Sequence, residues 1–164
     1  MMQKCASCGG NISRHDQACS YCGTPNPEYC PPDREVNLLL EKAMEAFQNE
    51  HYAEAVDYYL QVIEIDPDVF EAYFYLAAGY TKLKRNEEAI KVMEKARMIR
   101  PGSAPVYYNL GILCKQVGRK AEARAYLEEA LALVKTDAAV DDARREFKKT
   151  IEKALSEYKR WKLF

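Results

Sequence analysis

Residues 70–101 read FEAYFYLAAGYTKLKRNEEAIKVMEKARMIRP, and the segments before and after them can be laid over this stretch residue by residue. Pro67 and Pro101 stand 34 residues apart, and a fixed period of this kind outranks any local pattern as a guide to architecture. In the copy at 36–67, Leu39, Ala43, Ala46, Ala55, Tyr59 and Val62 precede Asp66-Pro67. At the same offsets the second copy has Tyr73, Ala77, Tyr80, Ala89, Met93 and Ala96 before Arg100-Pro101. A third copy, from Ala104, has Tyr107, Gly111, Cys114, Ala123, Leu127 and Ala130, with Lys135 where the other copies have proline.

Apolar residues three and four apart mark one face of a helix. Each copy holds two such faces, split by the polar breaks Asn49-Glu50-His51, Lys84-Arg85-Asn86 and Gly118-Arg119-Lys120. Ala55, Ala89 and Ala123 fall where the two helices of a hairpin cross, since a one-carbon side chain lets the backbones approach. Tyr59, Met93 and Leu127 then fill the space between hairpins. This pattern resembles the tetratricopeptide repeat across residues 36–135. Lys135 and Arg124, which stands where Leu or Ile is usual, depart from it. The resemblance implies an all-α fold: a solenoid of three hairpins over residues 34–137, closed by a C-terminal capping helix over 138–164.

Five of the six cysteines lie in the first 30 residues, four of them as Cys5-Ala6-Ser7-Cys8 and Cys19-Ser20-Tyr21-Cys22. Two CxxC pairs at this separation place four thiolates about one tetrahedral point, which suits Zn²⁺. Gly9 and Gly23 follow the pairs, where a sharp turn needs the positive φ that glycine adopts freely. Residues 5–23 resemble the short zinc-ribbon family, and residues 1–24 are expected to form that module around one structural Zn²⁺, with all four positions taken by sulfur. Disulfides would need an oxidising compartment, and a redox CxxC would need a βαβ context. His15, between the knuckles, is read as a surface loop residue, and Cys30 as a free thiol.

Pro25, Pro27, Pro31 and Pro32 make residues 25–33 a stiff linker. Asp33 is placed to cap the first helix, Asp68 with Glu71 to form a capping box, and Ser103 to open the third hairpin. Thr136-Asp137 are placed to cap a terminal helix from Ala138 to about Trp161, along which Val140, Ala143, Phe147, Ile151, Ala154, Tyr158 and Trp161 make one apolar stripe. Residues 138–164 carry eight Lys/Arg against five Asp/Glu, whereas 36–67 carry seven acids and one Lys. Tyr158, Trp161, Leu163 and Phe164 are expected to overhang the last hairpin and to mediate a homodimer.

With 48% hydrophobic residues, 30% charged and a net charge of −1, the chain reads as globular. It has no basic excess to mark a nucleic-acid binder and no apolar run of about 18 residues. A reducing cytoplasm is the expected compartment. Nucleic acid and membrane surfaces are not the expected partners. Two histidines, no nucleophile–base constellation and no phosphate-cradling loop leave no basis for an enzyme.

The resemblance implies instead a concave face lined by the first helix of each hairpin. On the 3.6-residue lattice its groove positions are Leu40, Met44 and Phe47, then Phe74, Ala78 and Thr81, then Tyr108, Ile112 and Lys115. Positions that hold Lys, Asn or Arg in family members gripping carboxylate tails are Leu40, Met44, Tyr75, Pro105 and Asn109 here, so no carboxylate clamp is expected. The reading is a protein–protein interaction adaptor that takes a helix or peptide in an apolar groove, with the ribbon as a second contact. A nucleic-acid-binding ribbon and a metal or redox sensor working through Cys30 are the alternatives.

Overall fold

The computed structural model describes residues 2–13 and 15–159. A two-stranded antiparallel sheet, β1 (Met2–Lys4) and β2 (Asn11–Ser13), pairs Gln3 with Ile12. Six helices follow as three hairpins: α1 (Pro32–Gln48) with α2 (Tyr52–Ile65), α3 (Phe70–Lys82) with α4 (Asn86–Ile99), and α5 (Ala104–Gln116) with α6 (Lys120–Leu133). A 3₁₀ turn (Ala138–Val140) then leads to α7 (Arg144–Lys159).

The period is written into the backbone. Helices α2, α4 and α6 each have 14 residues. The turns before them place Glu50, Lys84 and Gly118 at φ of 62°, 64° and 83°, one period apart. The crossing of each hairpin is made of small buried residues: Ala43 and Ala55, Ala77 and Ala89, Gly111 and Ala123. At Gly111 an added Cβ would lie 2.7 Å from Leu127 Cγ, so α5 and α6 are already as close as their atoms allow. Tyr59 and Met93 are buried in one core that runs from Val36 to Ala123, and Leu127 is buried in a second cluster with Ile151 of α7. Arg124 lies on the surface, paired with Glu128 at 2.7 Å.

Several helix ends differ from their sequence-based expectations. Helix α1 opens at Pro32, whose missing amide costs nothing in the first turn, and Asp33 sits inside the helix. Val69 and Ser103 precede α3 and α5 without a side-chain capping bond. The Asp68 amide instead donates to Asp66 Oδ1 at 2.9 Å. The N-terminus of α5 takes its carboxylate from afar: the Ala104 amide donates to Asp137 Oδ2 at 2.7 Å. Asp137 is therefore engaged with the preceding hairpin, and the terminal helix starts at Arg144, whose guanidinium holds Asp141 and the Lys135 carbonyl.

Over the described residues helix α7 has 16 residues, about 24 Å at 1.5 Å per residue, and it starts at Arg144, later than the expected Ala138. Ile151, Ala154 and Leu155 pack with Leu127, Ala130 and Val134 of α6. Tyr158 is half-buried against the chain's own core, so up to this residue the stripe does not overhang. Trp161, Leu163 and Phe164 lie outside the described residues. Gly111→Val is expected to cost about 1–3 kcal/mol by overpacking the α5–α6 crossing, read as a lower urea midpoint at unchanged m-value.

Candidate functional site

Two places on the chain bring together side chains capable of binding. In the head, both CxxC turns fold alike. The Cys5 amide donates to the Gly10 carbonyl at 2.8 Å and the Gly9 amide to the Cys5 carbonyl at 2.8 Å. In the second turn the Cys19 amide donates to Thr24 at 2.9 Å and Gly23 to Cys19 at 2.8 Å. Gly9 and Gly23 adopt φ of 71° and 72°, and an isolated bridge between Ala18 and Pro25 echoes the β1–β2 pairing.

These turns aim four thiols at one point. Cys5 Sγ lies 3.7 Å from Cys22 Sγ, Cys8 Sγ lies 3.6 Å from Cys19 Sγ, and all four sulfurs fall within 4.8 Å of one another. Sulfurs bound tetrahedrally at 2.3 Å from a zinc ion would stand about 3.8 Å apart, so the donor set and its spacing fit that metal. A hydrogen bond to the Thr24 hydroxyl, at 3.2 Å, and the Thr24 amide push the Cys22 thiol down to about 6. Backbone amides of Cys8 and Ser7 lower Cys5 as well. Among the described residues this is the one cluster of three or more such ligands.

The head is joined to the helices. His15 is no free loop residue: its Nε2 lies 2.5 Å from Glu35 Oε2 in the first turn of α1. Buried Asn26 donates through Nδ2 to the carbonyls of Ser13 and Asp16, so the first part of the expected linker is folded into the head. Cys30 is half-buried beside the Pro31 carbonyl. Burial pushes the Cys114 thiol of the core up to about 11, which keeps it inert.

The second place is the face made by α1, α3 and α5. Leu40, Phe47 and Phe74 are half-buried and pack on the core, and Ala78 is half-buried as well. Tyr108 and Ile112 pack on the α6–α7 cluster, Tyr108 meeting Phe147 edge-on at 5.4 Å, while Lys115 Nζ pairs with Glu157 at 2.5 Å. Most of the expected groove row is thus the rim of the core, because a position one lattice step from the packing row also borders the next hairpin or α7. Met44, 47% exposed, remains open.

The open aromatic of this face is Tyr75, 40% exposed, which the resemblance placed among the carboxylate-gripping positions and not in the apolar groove row. It stacks on buried Tyr59 at 6.1 Å and meets Phe74 edge-on at 5.6 Å. Beside it a cavity of about 390 Å³ opens between α3 and α5, lined by Phe70, Phe74, Tyr75, Pro105, Arg100 and Asp137, among others. Arg100 lies 4.0 Å from the Phe70 ring centroid and donates to Glu71 at 2.8 Å. An apolar run with its period could mark Phe70 and Phe74; the approach of Asp137, from beyond α6, leaves no local signal.

Antiparallel helix pairs repeated on one period, with first helices side by side, define a helical-repeat solenoid. Residues 36–69 and 68–136 match the tetratricopeptide repeat, and this region, more than half of the chain, belongs to that family. The chain is 29% identical over 108 residues to a peroxisomal targeting signal receptor of Candida albicans, a match covering 66% of this chain and 18% of the receptor. The chain thus spans under a fifth of the length of that relative. In fold it is similar to the Yersinia enterocolitica type III secretion chaperone SycD in complex with a peptide of the translocator YopD. That likeness has a TM-score of 0.71 at 17% identity and covers 77% of this chain and 94% of that one. The first TPR of Spaghetti (RPAP3) bound to the HSP90 peptide SRMEEVD gives a TM-score of 0.61 at 22% identity, covering 74% and 94%. At these identities the likeness to solved structures is one of fold.

No helix among the described residues is long and apolar enough to cross a membrane. Because His15 and Glu35 tie the head to α1, His15→Ala is expected to speed amide exchange at Arg34–Val36 while α3 to α6 keep their protection, as hydrogen-exchange mass spectrometry would record.

Proposed function

We propose that this protein is an adaptor that holds a peptide or helix of another protein on the face of α1 and α3, with a zinc-stabilised head as a second contact. The observation that carries this reading is the open cavity beside Tyr75 on the first-helix face of a tetratricopeptide array. Peptide-bound proteins of the same fold support it. Leu40, Met44, Tyr75, Pro105 and Asn109 offer no Lys or Arg to a terminal carboxylate, so a clamp for acidic tails is not part of the proposal.

The head's role follows from its size. Its buried cluster is Cys5, Ile12 and Cys19, too small a core to hold a fold, so metal binding would supply the folding free energy. Cys5, Cys8, Cys19 and Cys22 would hold one Zn²⁺. Four thiolates leave no open coordination position, and the ion would be structural. Tyr21, 75% exposed between Cys19 and Cys22, is the head's most open aromatic among the described residues and its natural contact residue.

Metal analysis of reduced, purified chain is expected to find one zinc per molecule. Cys19→Ser is expected to abolish it and to disorder the head while helical circular dichroism persists. Absence of zinc in the intact chain would overturn the head assignment. For the groove, the intact chain and a Met44→Glu/Tyr75→Ser variant would be used as baits in extracts of the source cell. Partners recovered by the intact chain are expected to be lost with the variant at unchanged melting temperature; retention of all of them would move the contact away from this face.

A further inference from the structure

Resting on the reading of the head as a zinc-stabilised module, we infer that His15 and Glu35 are positioning residues for the metal site: their contact is made in the zinc-loaded head, and it strengthens the head's hold on zinc in return. His15 is kept in place by both CxxC turns. The first turn runs through the bond from the Cys5 amide to the Gly10 carbonyl into β2, which ends at Ser13. The second runs through the bond from the Cys19 amide to the Thr24 carbonyl, and through the Ala18–Pro25 bridge, to Asn26. His15 lies in the turn between these two ends, where the Ser13 amide donates to Asp16 Oδ2 at 2.8 Å and the His15 amide to Ser13 Oγ at 3.3 Å. Buried Asn26 closes the turn from the other side. Its Nδ2 donates to the carbonyls of Ser13 at 3.1 Å and Asp16 at 3.0 Å, and its amide to the Gln17 carbonyl at 2.9 Å. The imidazole therefore has a fixed place only while both CxxC turns are folded.

Glu35 is the anchored end of the contact. It is buried in the first turn of α1, and Val36 and Leu39 beyond it belong to the core of the array. Its Oε2 lies 2.5 Å from His15 Nε2, and it has a further interaction of its own. The head has no comparable anchor, since its apolar cluster is Cys5, Ile12 and Cys19 and metal binding would supply its folding free energy. Loss of zinc removes the frame around His15 and so removes His15 from Glu35. Linkage makes the effect reciprocal: the factor by which zinc favours the contact is the factor by which the contact favours zinc. For one partly buried polar contact that factor is about fivefold. The zinc-loaded chain thus presents head and array in a set orientation, and the zinc-free chain presents the array alone.

The test uses the full chain, with His15→Ala, Glu35→Gln and the double variant, and titrates zinc against the chelator pyridylazoresorcinol under reducing conditions. Each single substitution is expected to weaken zinc binding about fivefold. Because Glu35 has another interaction, the pair is isolated by the double variant, which is expected to lose about as much as either single one and not the product of the two losses. A second measurement needs no substitution: removing zinc from the intact chain is expected to speed amide exchange at Glu35 and Val36 about fivefold or more, while α3 to α6 keep their protection. In His15→Ala, where these amides already exchange faster, zinc removal is expected to add little. Equal zinc affinity in all four proteins, losses that multiply in the double variant, or exchange at Glu35 and Val36 indifferent to zinc would overturn the coupling and leave the zinc-bound head standing. An intact chain that takes up no zinc would overturn the reading of the head and the coupling with it.

Discussion

Everything downstream in this molecule depends on how closely the two helices of each hairpin approach. The crossings are built from Ala43 and Ala55, Ala77 and Ala89, Gly111 and Ala123, with no side chain larger than a methyl group at any of the three. Close crossing leaves large residues, Tyr59 and Met93, to fill the core between hairpins, and Leu127 to pack in the cluster that α7 completes. Interiors pack at near-crystalline density, so the hairpins stack in one way and repeat it. The left-handed residues Glu50, Lys84 and Gly118 turn the chain at matching points. The result sets α1, α3 and α5 side by side, and that face is where the array can take hold of another chain.

Function on this face arises between repeats. The cavity draws on α3, the start of α5, the loop at Arg100 and Asp137 from beyond α6. Helix α7 covers the third repeat's share of the face, through Phe147 on Tyr108 and Glu157 on Lys115, which confines the open surface to α1, α3 and the first turns of α5. The same helix completes the fold, since Ile151 is fully buried against α6. An end cap and a boundary of the binding surface are thus one element.

The head obeys a different physics. Its order rests on backbone turns that repeat around Cys5 and Cys19 and on the convergence of four sulfurs, with little apolar area to bury. Its tie to the array is polar, through His15 and Glu35. A hydrogen-bonded joint of this kind sets orientation more than it adds stability, because exchanging water for a protein partner gains little net free energy.

Period, hairpin number, the crossing alanines and the pairing of cysteines were all legible in the sequence, because each is a local chemical requirement repeated at a fixed offset. Small residues stand where backbones touch, and Gly9 and Gly23 stand where the two cysteine turns take positive φ. What the sequence could not carry were contacts whose partners are far apart along the chain. Asp137 looks like a cap for the helix that follows it, yet serves α5; His15 looks like a loop residue, yet reaches Glu35; Tyr158 looks like an exposed end of a stripe, yet packs on its own core. The openness of the groove row is set in the same way. Leu40, Phe47 and Phe74 are placed by the helical lattice on one side of their own helices, but the neighbouring hairpin determines which members of that side remain open. Exposure is a property of the packed assembly of helices, and only that assembly shows Tyr75 open beside its cavity.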